Sequence, residues 1–225
     1  MTFEDFEKIM SKPRIYRYKN ACKWNENEVI HLYMANLRLS QQLFGIISLF
    51  EVILRNRIDS HYKNRFEKNW LQNQCNIGGF FQVKGCETSR RKVLDVIFKL
   101  GANYTHDKTL SDMNFGFWKY QFGSKEFAAA GSTLLVIFPN LPRGHNNTSI
   151  FKQLDNINKM RNRIAHHEPL CFQGSLISIE ETERIYLSIL TLFQWLDIDI
   201  SFLLDKIDFV NIELEIIKKV KVNAN

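Results

Sequence analysis

Residues 43–54 read LFGIISLFEVIL, twelve positions in which Glu51 is the one charged residue. At about 100° per residue, the apolar side chains of this stretch cover nearly every face of a helix. A helix that is apolar all round belongs at the centre of a domain. The pattern Asn25-Glu-Asn-Glu28 is typical of a helix start, so the sequence predicts a helix from about there to about Phe66, either continuous or interrupted near Ser40.

The remaining chain is also patterned as helices rather than as strands. Polar caps such as Thr2-Phe-Glu-Asp5 and Ser178-Ile-Glu-Glu181 precede apolar residues with helical spacing. The strand-like run Leu134–Phe138 is too short to predict a sheet. We therefore predict an all-α fold, with residues 1–225 as a single domain and a mobile basic tail at about 217–225. Besides the central helix, the predicted helices cover residues 2–10, 88–101, 115–122, 125–138, 149–168, 178–196 and 200–210.

Composition and charge place the chain among globular proteins. Hydrophobic residues make up 45% and charged residues 24% of its 225 positions, and the net charge is +6. The segment from Gly174 to Asn225 holds five basic and nine acidic residues, so it carries −4 and the preceding residues carry +10. The excess of basic residues makes a polyanionic partner worth testing, although from charge alone a solvated surface is the simpler explanation.

Several classes of protein are not indicated by the sequence. The four cysteines lack metal-ligand spacing, and the first ten residues are too charged for a signal peptide, which predicts reduced thiols, no metal and a cytoplasmic protein. No apolar run approaches the ~18 residues that predict a membrane span. The phosphate-binding, dinucleotide-binding, serine-hydrolase and zinc-protease motifs are missing, so we expect no cofactor.

The segment SIFKQLDNINKMRNRIAHHEPL, residues 149–170, contains the most informative polar pattern. On a helix, Arg161 falls within the apolar face and His166 on the other side, about 140° around and about 7.5 Å along the axis. One straight helix therefore cannot easily place both on one phosphate, whereas a helix distorted near Pro169, or two copies across a two-fold axis, can. Asn162 is spaced to orient the His166 imidazole. From spacing alone, a buried ion pair of Arg161 and a surface role for the histidines are the simpler readings.

A second Arg–His spacing occurs in RNRIDSH, from Arg55 to His61. Glu51, Arg55 and Asp59 share one helix face and are spaced for an ion-pair ladder. We favour a structural role for this cluster, in which Glu51 pairs with Arg55 or Arg161, while a second functional pair remains the alternative. Weaker candidates for contact with RNA phosphates are four basic residues: Arg163, Lys159, Arg90 and Arg91. The aromatic run from Phe115 to Phe122 is predicted to be core.

The motif RNRIAHHEP, residues 161–169, resembles the signature of the HEPN superfamily, in which an Arg followed by Asn precedes a His by four to six residues. Three further segments resemble one branch of that superfamily, the Abi-like (abortive infection) proteins. They are LFEVILRN at 49–56, NFGFW at 114–118 and the aromatic and acidic stretch at about 23–43. The order and spacing of the four segments also fit, so the resemblance covers most of the chain. His61, which follows Arg55 and Asn56, departs from the pattern of that branch, so a second catalytic pair there is only the alternative to a structural role.

The resemblance implies a HEPN-like helical bundle with additional helices, working as a homodimer. It implies a metal-independent endoribonuclease of phage defence or a toxin–antitoxin system, which leaves 2′,3′-cyclic phosphate ends. Arg161 and His166 match the catalytic residues of the motif, Asn162 the orienting residue, and His167 is the alternative histidine. The implied partners are RNA and an antitoxin protein or RNA, with no membrane. The alternative is a non-catalytic RNA-binding or antitoxin-binding module of the same fold.

Overall fold

The computed structural model describes the backbone of residues 2–224 and the side chains of residues 2–221. These residues are 72% helical and 2% strand, which confirms the all-α fold. The helices are α1 Phe3–Met10, α2 Lys12–Ala21, α3 Glu26–Phe66, α4 Trp70–Asn73, α5 Glu87–Leu100, α6 His106–Asp112, α7 Phe115–Tyr120, α8 Ser124–Ala129, α9 Asn147–Ala165, α10 Glu180–Trp195, α11 Ile200–Leu204 and α12 Val210–Ala224. Short 3₁₀ helices cover Phe80–Gln82, Gly101–Asn103 and Leu134–Ile137, and β1 Phe172–Gln173 pairs antiparallel with β2 Leu176–Ile177.

The chain forms two compact units. The first contains the residues up to Ile47, Met160–Leu190 and the residues from Ile200 onward, and the second contains Ser48–Lys159 and Thr191–Asp199. Helices α3, α9 and α10 each contribute residues to both units. The Arg–His motif at 161–166 belongs to the first unit, and the Arg55–His61 segment belongs to the second.

The long apolar stretch forms the middle of α3, a continuous helix of 41 residues. Ser40 does not interrupt it, because the Ser40 hydroxyl donates to the Asn36 carbonyl oxygen one turn earlier, at 2.9 Å. By length and composition α3 could cross a membrane, with a mean hydropathy of 1.4 in its most apolar window, of which 33% is buried. The sequence had predicted no such segment. A central helix of a globular domain passes the same test, and α3 carries a fully buried series that includes Leu39, Leu43 and Phe50.

The first unit begins with α1, whose N-terminus has the predicted capping box. The Thr2 hydroxyl accepts from the Asp5 N–H at 3.2 Å, and the Asp5 carboxylate accepts from the Thr2 N–H at 2.9 Å. Helix α2 was not predicted, and its Tyr18 ring packs against Phe172 of the hairpin, with the centroids 5.0 Å apart. The residues of the predicted basic tail, about 217–225, form the end of α12 as far as Ala224, and Asn225 lies outside the described residues.

The second unit has an aromatic core. Phe50 lies 5.3 Å from Phe193 and 6.3 Å from Phe115, measured between ring centroids. The side chains of Phe117 and Trp118 are also buried, as predicted for this aromatic run, whereas Tyr120 at the end of α7 is 40% exposed. All four cysteines are buried and none forms a disulfide.

Asp59 of α3 is the polar centre of the second unit. Its carboxylate accepts from Trp70 Nε1 at 2.9 Å and pairs with His106 Nε2 at 2.7 Å and with Lys63 Nζ at 2.7 Å. Burial alone would raise the pKa of Asp59, but the hydrogen bonds from His106, Lys63 and Trp70 outweigh it and lower that pKa to about 2. The charged carboxylate therefore joins α3 to α4 and α6.

Replacing this carboxylate by an amide, in Asp59→Asn, is expected to lower the free energy of unfolding at pH 7 by about 2 kcal/mol. The pKa of Asp59 in the folded protein lies below the usual value of about 3.9. Its carboxylate therefore stabilises the fold fully above that pH, and this stabilisation is lost as the pH falls through about 2. Urea unfolding between pH 2 and 7 measures both effects. Asp107→Asn is the control, because that carboxylate is exposed and lies 3.8 Å from Lys63. Equal acid sensitivity of wild type and Asp59→Asn would contradict the assignment.

Candidate functional site

The end of α9 carries the RNRIAHHEP motif. The helix is held through buried Ile157 and Met160. Its last helical residue is Ala165, three residues earlier than the sequence predicts. Pro169 is the reason, because a proline ring clashes with the carbonyl group four residues before it and the residue before a proline is pushed out of helical geometry. The chain turns at His167, whose φ is 56°, and the His167 N–H donates to the Ile164 carbonyl oxygen at 2.9 Å.

The residues predicted for catalysis cluster at this helix end. Arg161 is half-buried, and it makes no hydrogen bond or ion pair within the described part of the chain. His166 and His167 are exposed, as is Asn162. The His166 backbone N–H donates to the Asn162 carbonyl oxygen at 2.9 Å, but no hydrogen bond joins their side chains among residues 2–221. The site thus presents one guanidinium without a protein partner and two imidazoles open to solvent.

Arg163 has a different role from the one its charge suggested. Its guanidinium contacts the Glu181 carboxylate at 2.7 Å, the Glu168 carboxylate at 3.6 Å and the Pro169 carbonyl oxygen at 3.0 Å. These contacts clamp the segment that leaves α9 against the start of α10. Arg163 is therefore committed to the protein and is a poor candidate for RNA contact.

Asn36 of α3 is a residue that sequence reasoning missed. It is buried, and its Oδ1 accepts from the Leu170 N–H at 2.7 Å and from the Cys171 N–H at 3.2 Å. The Thr182 hydroxyl donates to the Leu170 carbonyl oxygen at 3.0 Å. The segment after Pro169 is thus held from both α3 and α10. No periodicity or spacing marks Asn36, since its two partners lie more than 130 residues away in the chain.

An open groove of about 680 Å³ lies beside the motif within the first unit. We call it the α3–α9 groove. One side of the groove is formed by the end of α9 and the turn after it, with Ile164 and Ala165 on the helix and His167 and Glu168 beyond it. Arg14 of α2 crosses its edge and donates from Nη1 to the His167 carbonyl oxygen at 3.2 Å. The other lining residues come from α1, α2 and α3: Ile9, Met10, Tyr18, Tyr33, Asn36, Leu37, Ser40, Gln41 and Phe44.

The second Arg–His segment lies in the second unit. Arg55 donates to Asn56 Oδ1 at 3.3 Å, and His61 Nε2 lies 3.0 Å from the Thr133 hydroxyl. Burial lowers the pKa of His61, and the charge of Arg65 lowers it further.

The pairing of Glu51 with Arg55 or Arg161 stays a prediction. The third residue of the predicted ladder, Asp59, pairs with Lys63 and His106 instead.

The other weak candidates for RNA contact are in the second unit. Lys159 pairs with the Asp155 carboxylate at 2.8 Å, and Arg90 Nε donates to the Cys75 carbonyl oxygen at 3.1 Å. Arg91 is exposed. Within the described side chains, no group of three or more His, Cys, Asp or Glu residues is arranged to hold a metal ion.

Comparisons of this chain with protein-family models, with curated proteins and with solved structures find no match. The resemblance to Abi-like proteins therefore rests on the four sequence segments alone.

Replacing Asn36 by alanine is expected to free the segment after Pro169. The buried N–H groups of Leu170 and Cys171 would lose their acceptor, at a cost of about 2 kcal/mol or more. Hydrogen exchange should show a fall in protection at these two amides. Asn162→Ala is the matched control, since that side chain is exposed and makes no hydrogen bond within the described chain. Unchanged protection in Asn36→Ala would show that the contact does not hold the segment.

Proposed function

We propose that this chain is a metal-independent endoribonuclease of the HEPN, Abi-like kind, which works as a homodimer in bacterial phage defence or in a toxin–antitoxin system. The observation that carries the proposal is Arg161. The guanidinium of an arginine commonly pairs with a carboxylate of the same protein or with a phosphate of a ligand. Arg161 has no such partner in the described chain, and it lies in the same helical turn region as two exposed histidines. A phosphate is the ligand that this arrangement fits best.

The chemistry that these residues support is transesterification within RNA. An imidazole removes the proton of a ribose 2′-OH, and the 2′ oxygen attacks the adjacent phosphorus. The bond from phosphorus to the 5′ oxygen breaks, and a second imidazole, contributed by the other copy, protonates that oxygen. Arg161 stabilises the charge on the non-bridging oxygens of the phosphorane. The products are a 2′,3′-cyclic phosphate and a 5′-hydroxyl end, and DNA is not cut because it lacks the nucleophile.

The proposed roles follow from the geometry of the helix end. His166 transfers protons, since its ring is exposed. His167 is the alternative, because its ring is also exposed and it lines the α3–α9 groove. Asn162 orients His166 only if its amide rotates toward the ring when RNA is bound, because no hydrogen bond joins them in the described structure. Location in the cytoplasm, where RNA is available, belongs to the same proposal.

The second candidate function is a helical module that binds RNA or an antitoxin without cutting. The open, partly apolar groove beside the motif is the observation that favours it. In that case, the affinity for RNA should fall with salt while His166→Ala leaves it unchanged.

The test compares cleavage of a labelled RNA pool by wild type, Arg161→Ala and His166→Ala. Each substitution is expected to reduce the rate by about 100-fold or more, the range for loss of a general acid–base group or of one charge-stabilising group. Arg184→Ala and His31→Ala are matched controls, since both residues are exposed and belong to the first unit. They should cleave like wild type. Equal cleavage by all five proteins, or none by wild type, would exclude the proposal.

A further inference from the structure

We infer that α2 and the Trp24 that follows it bind the single-stranded RNA that leads away from the phosphate cut at the end of α9. This inference rests on the proposed function and adds to it a surface that holds the substrate. We call it the α2 surface, and it consists of the exposed side chains of Lys12, Arg14, Tyr16 and Trp24. All four residues belong to the first unit, which also contains the Arg–His motif.

Helix α2 is strongly basic. Its sequence, KPRIYRYKNA, contains four basic residues and no acidic residue. Ile15 and Tyr18 are buried and attach α2 to the first unit, so the opposite side of the helix faces solvent. Lys12 and Arg14 lie in the first turn, where the helix macrodipole disfavours cations. Helix stability therefore does not explain these two charges.

The protein does not neutralise these cations. Lys12 and Arg14 are exposed, and neither forms an ion pair within the described chain. The acidic residues of the neighbouring α1 are already engaged by other groups, in the pairs Glu4–Lys8, Glu7–Lys19 and Asp5–Thr2. Cations that no carboxylate neutralises attract a polyanion, and the phosphates of a nucleic acid are such a ligand.

Arg14 connects the α2 surface to the motif. Its Nη1 donates to the His167 carbonyl oxygen at 3.2 Å, and its other N–H groups remain available for a phosphate. Arg17, one turn further along α2, donates to the Gly174 carbonyl oxygen, and its guanidinium carbon lies 4.5 Å from the centre of the Phe172 ring. Arg17 thus holds α2 against the hairpin. A strand bound at Arg14 lies next to the turn that carries both histidines.

Two exposed aromatic rings accompany the cations. Tyr16 and Trp24 are each 56% exposed, and their ring centroids are 6.1 Å apart in an edge-to-face arrangement. Lys19 Nζ lies 4.6 Å from the centre of the Trp24 ring. Proteins bind single strands by combining cations that contact phosphates with aromatic side chains on which bases stack. Because stacking requires bases that are not paired, the α2 surface fits a single strand better than a duplex.

An acidic protein is the other polyanion to consider for this surface. Lys12 and Arg14 would attract its carboxylates as they attract phosphates. Carboxylates do not stack on Tyr16 and Trp24, whereas the bases of RNA do. The combination of cations and rings therefore favours RNA over an acidic protein.

Three variants in a His166→Ala background, which prevents cleavage, test the inference: Lys12→Ala, the double variant Lys12→Ala/Arg14→Ala, and Tyr16→Ala. Fluorescence anisotropy measures their affinity for a labelled single-stranded RNA at several salt concentrations. The control for the charges is Arg184→Ala/Lys206→Ala, because these residues are exposed, belong to the first unit and form no ion pair in the described chain. The control for the ring is Phe209→Ala, since Phe209 of the first unit is 44% exposed.

We expect the double variant to bind RNA more weakly than its parent at every salt concentration. The slope of log affinity against log salt concentration should become shallower by about 0.7 for each phosphate contact that is removed. Lys12→Ala should show half of that change, and it leaves the contact of Arg14 with the turn in place. Tyr16→Ala should lose about tenfold in affinity with an unchanged slope, because stacking involves no counterions. Both controls should bind like their parent.

Trp24 gives a second readout of the same surface. Of the four tryptophans, Trp70 and Trp118 are fully buried and Trp195 is partly buried, so Trp24 is the one that RNA can reach most easily. A base stacked on Trp24 is expected to quench its fluorescence. Trp24→Phe should abolish the quenching and retain most of the affinity, because a ring remains. Equal quenching in Trp24→Phe would contradict stacking at this position.

The remaining outcomes separate the α2 surface from the proposed function. If wild type cuts RNA while the double variant and Tyr16→Ala bind like their parent, the inference is wrong and the proposed function stands. RNA binding that depends on Lys12, Arg14 and Tyr16, without any cleavage by wild type, supports the surface and excludes the nuclease. A loss of affinity in the double variant alone would indicate an unspecific charged face and would overturn the inference. Binding of poly-glutamate in place of RNA through Lys12 and Arg14 would also overturn it, in favour of an acidic protein.

Discussion

Pro169 is the constraint on which the candidate site depends. Because its ring cannot follow a helical turn, α9 ends at Ala165 and the chain reverses through His167 with a positive φ. The two histidines consequently stand outside the regular helix and in solvent. His166 is the first residue after the helix. The angle between Arg161 and a histidine that was calculated for a straight helix therefore does not apply to His167. The proline thus ends the helix between Arg161 and the two histidines.

Some residues around this turn fix it through contacts with the rest of the protein, whereas others have polar side chains without a protein partner. Arg163 and the Asn36 amide oxygen hold the turn through contacts with the protein, and Arg14 supports it through the His167 carbonyl group. Arg161, two residues before Arg163, has no partner in the described chain. Two arginines of one helical turn thus differ in role because one meets acidic side chains from α10 and the other does not. This rigid support around open polar groups is typical of sites that bind a ligand.

The sequence predicts the local features well and the distant contacts poorly. Periodicity and caps predict α3, α5 and α10 to within a few residues, because these signals depend on neighbours three or four positions away. Helix α2 was missed, since its burial depends on Tyr18 meeting the hairpin at Phe172. Asn36 could not be identified, because its partners lie across the fold. The partners of Asp59 could not be identified for the same reason, since Trp70 and His106 come from other helices.

The central claim is that the helix end of α9 cuts RNA by attack of a ribose 2′-OH, and one measurement tests it most directly. An RNA with one mapped cleavage site is compared with the same RNA carrying a single 2′-deoxy nucleotide immediately 5′ of that site. Mass spectrometry identifies the products. The account predicts a 2′,3′-cyclic phosphate from the all-ribose RNA and no cleavage at the 2′-deoxy position. Cleavage at the 2′-deoxy position, with a 5′-phosphate on the product, would contradict it.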